Sequence, residues 1–400
     1  MPRVASIFTD KEKLLPRHIP AVLRHRERAM QMLQALFNDF LDHPGKTYQR
    51  VAQLLGPTGT GKTCTVSTFG LQYQRRAKAK GISLQYVHVN CKLEAKTLFA
   101  LYQSLLKQVF PEVQARGQST GEMLRTLVQA LRSEGRYLLL ALDDVDNLIR
   151  RSKKDEPEGG VVYDLTRLNE LYPGEHQHVV GVVFIARDSA FRSLLDPSER
   201  STLGNIVIRL SSYDSDQLKD ILSDRVNEAF VHGTLSEEII EYVADLTAEN
   251  EHNPGDCRFA LDILLTSGFI ADYERSSSVS VEHVRRAVAE TFPGISSEDL
   301  LVLEEHGLIV LTSAVQALQS RKTPYVPLKN VHDYYRVHCE ECEIKPLSYS
   351  RFKEVVFDLN AVGAVDYRRD KGVNIAGASL DDLSRVLKTL ERREDYSPRY

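Results

Sequence analysis

The chain has 400 residues, 42% hydrophobic and 26% charged, with 51 Lys and Arg set against 55 Asp and Glu. That length exceeds what one hydrophobic core ordinarily organises, and the composition excludes a disordered, collagen-like or strongly acidic protein, so about three compact units are expected. The net charge of -4 supplies no chain-wide attraction to phosphate, so any nucleic-acid contact has to come from a local basic surface.

The segment from Met1 to Asp10 lacks the charged-then-apolar pattern of a signal peptide, and no apolar run approaches the roughly 20 residues of a membrane span. The five cysteines, at 64, 91, 257, 339 and 342, are odd in number and scattered, which fits a reducing cytoplasm and no membrane partner.

Short apolar strands alternate with helices through the first half. A strand at 50–55 enters a Gly-rich turn and a helix at 62–79; a strand is expected at 84–90 and helices at 93–110 and 121–134. Continuous apolar strands follow at 137–142 and 179–186, with a shorter one at 206–210. This alternation predicts an α/β core with a parallel sheet covered on both faces.

Beyond residue 210 the pattern is helical only, at 215–230, 236–249, 256–273 and 281–290. Ser236-Glu-Glu and Ser280-Val-Glu-His mark two helix starts. Breakers in Thr291-Phe-Pro-Gly-Ile-Ser-Ser place a boundary before helices at 297–320, 328–341 and 348–359, and residues 364–376 read as a hairpin. Three helices followed by a basic two-stranded ribbon predict a winged helix whose third helix enters a DNA major groove. Cys339-Glu-Glu-Cys342 beside His338 has no second pair at zinc-site spacing and reads as two cysteines on one amphipathic helix.

Gly56-Pro-Thr-Gly-Thr-Gly-Lys-Thr63 matches the phosphate-binding loop in full, between a strand and a helix. The backbone of Gly56, Pro57, Thr58, Gly59, Thr60 and Gly61 wraps phosphate oxygens, Lys62 reaches the β and γ phosphates of ATP or ADP, and Thr63 ligates Mg²⁺. Leu138-Leu-Leu-Ala-Leu-Asp-Asp-Val-Asp146 is the partner strand, with Asp143 holding Mg²⁺ through water.

These residues, in this order, resemble the archaeal origin-recognition and cell-division-control replication initiators, which are AAA+ ATPases. The resemblance spans nearly the whole chain. It includes Leu15-Pro-Arg-His-Ile-Pro20 through His25-Arg-Glu27, Val87-His-Val-Asn-Cys91, Gly255-Asp-Cys-Arg-Phe-Ala-Leu261, Pro346-Leu-Ser-Tyr-Ser-Arg-Phe352 and Leu359-Asn-Ala-Val-Gly363.

The resemblance implies a AAA+ phosphate-loop core at 1–210, an all-helical lid at 211–292 and a winged-helix DNA-binding domain at 293–400. It places Ile19 and Pro20 near adenine and brings Arg258 to the γ-phosphate. Its implied function is ATP-dependent marking of double-stranded origin DNA and recruitment of the replicative helicase (MCM), with sister initiators as further partners.

The sequence departs from the family at the catalytic positions. Asp144 stands where relatives carry the glutamate that orients attacking water, and Arg187 where they carry an asparagine. Arg187 either pairs with Asp188 or another nearby carboxylate, or sits as a cation near the γ-phosphate. Ser198 replaces the usual arginine after Pro197, leaving Arg200 as the candidate finger for a neighbour's ATP. A side chain one methylene short of its water predicts slow hydrolysis, with ATP as a switch more than a fuel.

On the third helix of the winged domain, Phe352, Val355, Val356 and Leu359 form the core stripe, which turns Ser350, Arg351 and Lys353 outward. Arg351 suits guanine, Ser350 and Lys353 suit phosphate, and the wing offers Arg368, Arg369 and Lys371, though acidic residues are interspersed. The resemblance adds a second DNA contact within residues 92–121. Two other readings stay open: a transposition or partition ATPase, and a repressor with a structural nucleotide.

Overall fold

The alternate residues of strands buried on both sides sort into two cores, and the central sheet of the computed structural model is built on that rule. The structure describes residues 6–45, 48–113, 117–155, 160–171, 176–250, 253–291, 300 and 303–391. β1 (Arg50–Leu55), β2 (Leu84–Asn90), β3 (Tyr137–Asp143), β4 (Val179–Ala186) and β5 (Val207–Arg209) run parallel in the order β2-β3-β4-β1-β5. β4 is buried at every position, as a strand covered on both faces must be.

Leu139 and Ala141 face α1 (Glu27–Asp42) and α2 (Lys62–Ala79), whose Leu33, Phe37, Phe69 and Tyr73 complete one core. Leu138, Leu140 and Leu142 face the opposite side, where α3 (Leu98–Val109) and α4 (Thr120–Ser133) supply Leu101, Leu105, Leu127 and Leu131. Each such side chain contributes about 1.5–3 kcal/mol by leaving water. The first helix of this side starts later than the expected 93, because the Asn90 side chain accepts from the amides of Lys92 and Leu93 and Thr97 caps the helix. α5 (Val145–Asp155) and α6 (Val161–Thr166) lie between β3 and β4, and α7 (Pro197–Leu203) precedes β5.

The chain packs as two compact units. Residues 19–213 with 251–257 form the one around the sheet; residues 1–18, 214–250 and 258–400 form the other. In the second unit, α8 (Ser215–Ala229), α9 (Glu237–Ala248), α10 (Cys257–Tyr273) and α11 (Val281–Thr291) are the helices expected after residue 210. Ser236 stands at the cap position of α9 without a side-chain cap bond, whereas Ser280 and His283 exchange reciprocal bonds of 3.3 and 3.0 Å at the start of α11. The N-terminal segment joins this unit through Phe8, whose ring lies 4.6 Å from that of Phe230.

α12 (Glu305–Arg321), α13 (Leu328–Glu341) and α14 (Tyr349–Ala361) pack with the antiparallel ribbon β6 (Asp366–Arg368) and β7 (Gly372–Asn374), which Val326 extends by pairing with Val373. Of the helix expected over 297–320, the part before Glu305 lies largely outside the described residues, as does the Pro-Gly boundary. α15 (Leu380–Glu391), not anticipated, closes this core with Leu380, Leu383 and Leu387. Cys339 is buried on α13 and Cys342 exposed just beyond it. Among the described residues no helix is long and apolar enough to cross a membrane.

Candidate nucleotide site and nucleic-acid interface

The phosphate loop sits at the carboxyl end of β1, the edge of a parallel sheet where ligands collect. Gly59 and Gly61 adopt left-handed φ values of +73° and +79°, open to glycine at no steric cost. A side chain at Gly59 has no room: its Cβ meets Asp256 Oδ1 at 1.8 Å. Gly61 caps α2 without any side-chain bond, so the first amides of the helix face the loop interior.

Lys62 donates from Nζ to the carbonyls of Gly56 and Pro57, at 2.6 and 2.7 Å, which holds its ammonium over the loop. The Thr63 hydroxyl donates to Asp143 Oδ2 at 2.6 Å. These are two hard oxygen donors brought together at the mouth of the loop, a set that fits Mg²⁺. Burial opposes ionisation of Asp143, but His88, with Nε2 3.3 Å away, and the Thr63 hydroxyl outweigh it and hold its pKa below the usual carboxylate value. The His88 contact is one of proximity, since Nε2 lacks hydrogen-bond geometry.

Asp144 follows in a left-handed conformation, φ 53°, which Asp tolerates better than most residues. Its carboxylate lies 3.5 Å from the Asn90 side-chain amide. Asp188 accepts from the Ala190 amide at 2.6 Å and so caps its own turn, while the exposed Arg187 acts on Asp146. Burial raises the pKa of Asp146, the Asp144 charge adds to that, and the Arg187 charge opposes it.

Arg200 is exposed on α7, its Nε 3.5 Å from the Asp196 carbonyl. Ile19 and Pro20 lie ahead of α1, Ile19 with an exposed side chain. Arg258 is exposed in the first turn of α10, in the other unit.

Three residues shape the loop that the motif alone did not single out. Arg26 is buried, donates to the carbonyls of Thr60 (2.9 Å) and Ser211 (3.1 Å), and stacks 3.8 Å from the centre of the Tyr213 ring. The Tyr213 hydroxyl covers Gly61, and Asp256 covers Gly59. A lone arginine in a polar stretch carries no such signal; only its place three residues before Ala29, the first buried position of α1, points to an inward role.

In the winged domain, Phe352, Val356 and Leu359 are buried and Val355 partly so, as the helical period requires. Ser350 and Arg351 are exposed, and Lys353 lies 5.4 Å from the Tyr349 ring. Arg351 pairs with Glu354 on the solvent side. Of the three wing cations, Arg369 is exposed, whereas Arg368 and Lys371 have carboxylate partners inside the unit, on Asp366 and on α9.

Known proteins carry the same parts in the same order. Residues 46–195 match the AAA domain family, 219–289 the Cdc6 AAA+ ATPase-type lid domain, and 298–375 the CDC6 C-terminal winged helix domain. The ORC1-type DNA replication protein 1 of Methanosarcina acetivorans is 30% identical over 398 residues, 96% of this chain and 90% of that protein. The crystal structure of Cdc6p from Pyrobaculum aerophilum is 30% identical with a TM-score of 0.82, over 96% of this chain and 98% of that one. The Aeropyrum pernix ORC1 protein in complex with DNA is 27% identical with a TM-score of 0.62, over 96% and 97%. With the phosphate loop, the lid and the winged helix matched end to end, the chain belongs to the ORC1/Cdc6-type family of DNA replication initiators.

Proposed function

We propose that the chain is an ATP-dependent initiator that marks double-stranded origin DNA and helps to recruit the replicative helicase, with ATP and ADP as the two states of a slow switch. The observation that carries this reading is the union, in one chain, of a braced phosphate loop and a recognition helix that turns Arg351 to solvent. The functional divisions are 1–210 for the ATPase core, 211–292 for the lid and 293–400 for DNA binding.

Lys62 and the loop amides bind the phosphates, and Thr63 and Asp143 hold Mg²⁺, which when bound neutralises phosphate charge. Asp144 is the residue that orients water, and its short side chain keeps turnover slow. Arg258 senses the γ-phosphate by its place in the matched lid motif, and Arg200 serves a neighbouring subunit. Ser350, Arg351, Lys353, Arg368, Arg369 and Lys371 are the DNA-binding set, of which Arg368 and Lys371 must first leave their carboxylate partners.

Sequencing DNA crosslinked to the protein in its host tests the reading. An initiator occupies one or a few replication start regions. Occupancy spread over many unrelated sites supports a regulator instead, and a nucleotide that never exchanges supports a repressor with a structural cofactor.

A further inference from the structure

The lid helix α9 and its cap carry an acid at every fourth position: Glu237, Glu241, Asp245 and Glu249. At 3.6 residues per turn that spacing lays the carboxylates along one face, about 6 Å apart. The wing turns its cations onto this face. Lys371 Nζ lies 3.1 Å from Glu241 and 2.5 Å from Asp245; Arg368 lies 3.3 Å from Glu249 and 3.9 Å from Asp245. Lys219 of α8 closes the other end on Glu237 and Glu241.

The two ends of the wing are held by different chemistry. Its base is fixed by buried hydrogen bonds that carry little salt dependence: Tyr242 donates to Asn374 at 3.1 Å, and Arg285 donates to the carbonyls of Ile375, Thr323 and Pro324 at 3.1–3.2 Å. The tip is held by ion pairs, which a polyanion and its counterions contest. A cleft of about 560 Å³, lined by Asp214, Asp216, Tyr367 and Asp370 besides the ion pairs, runs beside the tip and leaves one side of it open.

We propose that the acidic face of α9 stands in for DNA phosphate, holding Arg368 and Lys371 on the lid so that duplex DNA and α9 compete for the same two wing cations. The inference rests on the duplex-binding reading above. The wing tip is therefore restrained until DNA, or a change in the lid, displaces the carboxylates, while the base stays anchored.

The test compares the binding of a random-sequence duplex across a salt series by the parent chain, Glu241→Gln, Glu241→Gln/Asp245→Asn, and the latter with Arg368→Ala/Lys371→Ala added. The double neutralisation is expected to tighten binding severalfold at low salt and to steepen the slope of log K against log salt by about 0.9 as Lys371 is released, Arg368 keeping Glu249 as its partner. Removing the two cations in that background returns the parent's slope. Glu241 is half exposed, so Glu241→Gln keeps the fold and gives part of the gain even where the double variant unfolds. Neutralised variants that fold and bind no tighter than the parent overturn the competition alone. A parent that binds no duplex overturns the DNA-binding reading, and the competition with it.

Discussion

The Thr63 hydroxyl donates to the Asp143 carboxylate across 2.6 Å, joining the first turn of α2 to the end of β3, a residue 80 positions later. Neither residue is remarkable alone in a sequence; together they put two oxygen donors and a buried negative charge at the open end of the phosphate loop. Asp144, one of the departures from the family pattern, is the next residue after this pair's carboxylate.

Lys62→Ala removes the one side-chain cation that the loop carbonyls of Gly56 and Pro57 hold over the phosphate position. Losing a charged hydrogen-bond donor costs about 1.5–3 kcal/mol, so ATP affinity falls about tenfold to a hundredfold. Isothermal titration with ATP and Mg²⁺ reads this, and an unchanged affinity sinks the site assignment.

Asp144→Glu lengthens the side chain toward the attacking water and is expected to raise single-turnover hydrolysis by about a hundredfold, with ATP affinity nearly unchanged. The left-handed backbone at φ 53° adds a stability loss of about 1 kcal/mol, which thermal unfolding records. Where the Arg187 charge also disturbs the water, the gain appears only with Arg187→Asn added, and the double variant exceeds the product of the single effects. Equal, fast hydrolysis by the parent and all three variants removes the slow-switch reading.

Arg26→Ala leaves the buried carbonyl of Thr60 and the part-buried carbonyl of Ser211 without this donor and the Tyr213 ring without its stacked guanidinium. An unsatisfied buried acceptor costs about 1–3 kcal/mol. Both the unfolding temperature and ATP affinity are expected to fall, the latter by about tenfold, because Tyr213 then no longer fixes the cover of Gly61. A variant that loses stability but binds ATP as the parent does makes Arg26 a packing residue only.

Arg351→Ala costs about 1–3 kcal/mol of duplex affinity at one base-pair position if the guanidinium reads a base, and weakens all sequences alike if it meets only phosphate. Its exposed pair with Glu354 is worth at most about 1 kcal/mol and is given up readily to DNA. Binding measured on a set of point-mutated origin duplexes separates the two, and no change on any duplex excludes the contact.

His18, His283 and His332 all have pKa values held below 6.5, with burial as the first cause in each. The unfolded chain binds protons more readily than the folded one there, so their stability contribution is full above 6.5 and drains as pH falls through the lower folded values. Glu282, raised by burial, works in the opposite sense. His332→Phe keeps the aromatic contacts with Tyr349 and Phe352 and removes one titration, so the fall in unfolding temperature from about pH 7.5 to about pH 5.5 becomes shallower. An identical slope in parent and variant rejects this account.

The apolar strands, the phosphate loop, the acidic strand end and the core stripe of α14 were all legible from residue order, because period and local spacing are written in neighbouring residues. The stripe Leu380, Leu383 and Leu387 of α15 follows the same helical period. What only the tertiary structure decided are partnerships across long stretches of chain. Arg26 stands in the stretch His25-Arg-Glu27 with no partner legible in the residue order, and folding surrounds it with Thr60, Ser211 and Tyr213. Arg368 and Lys371 read as DNA-facing wing charges until α9, more than 120 residues earlier, presents carboxylates to them. A side chain's charge is set by its own chemistry, but what that charge does depends on which oppositely charged groups folding brings within a few ångströms, and spacing along the chain carries no record of those distances.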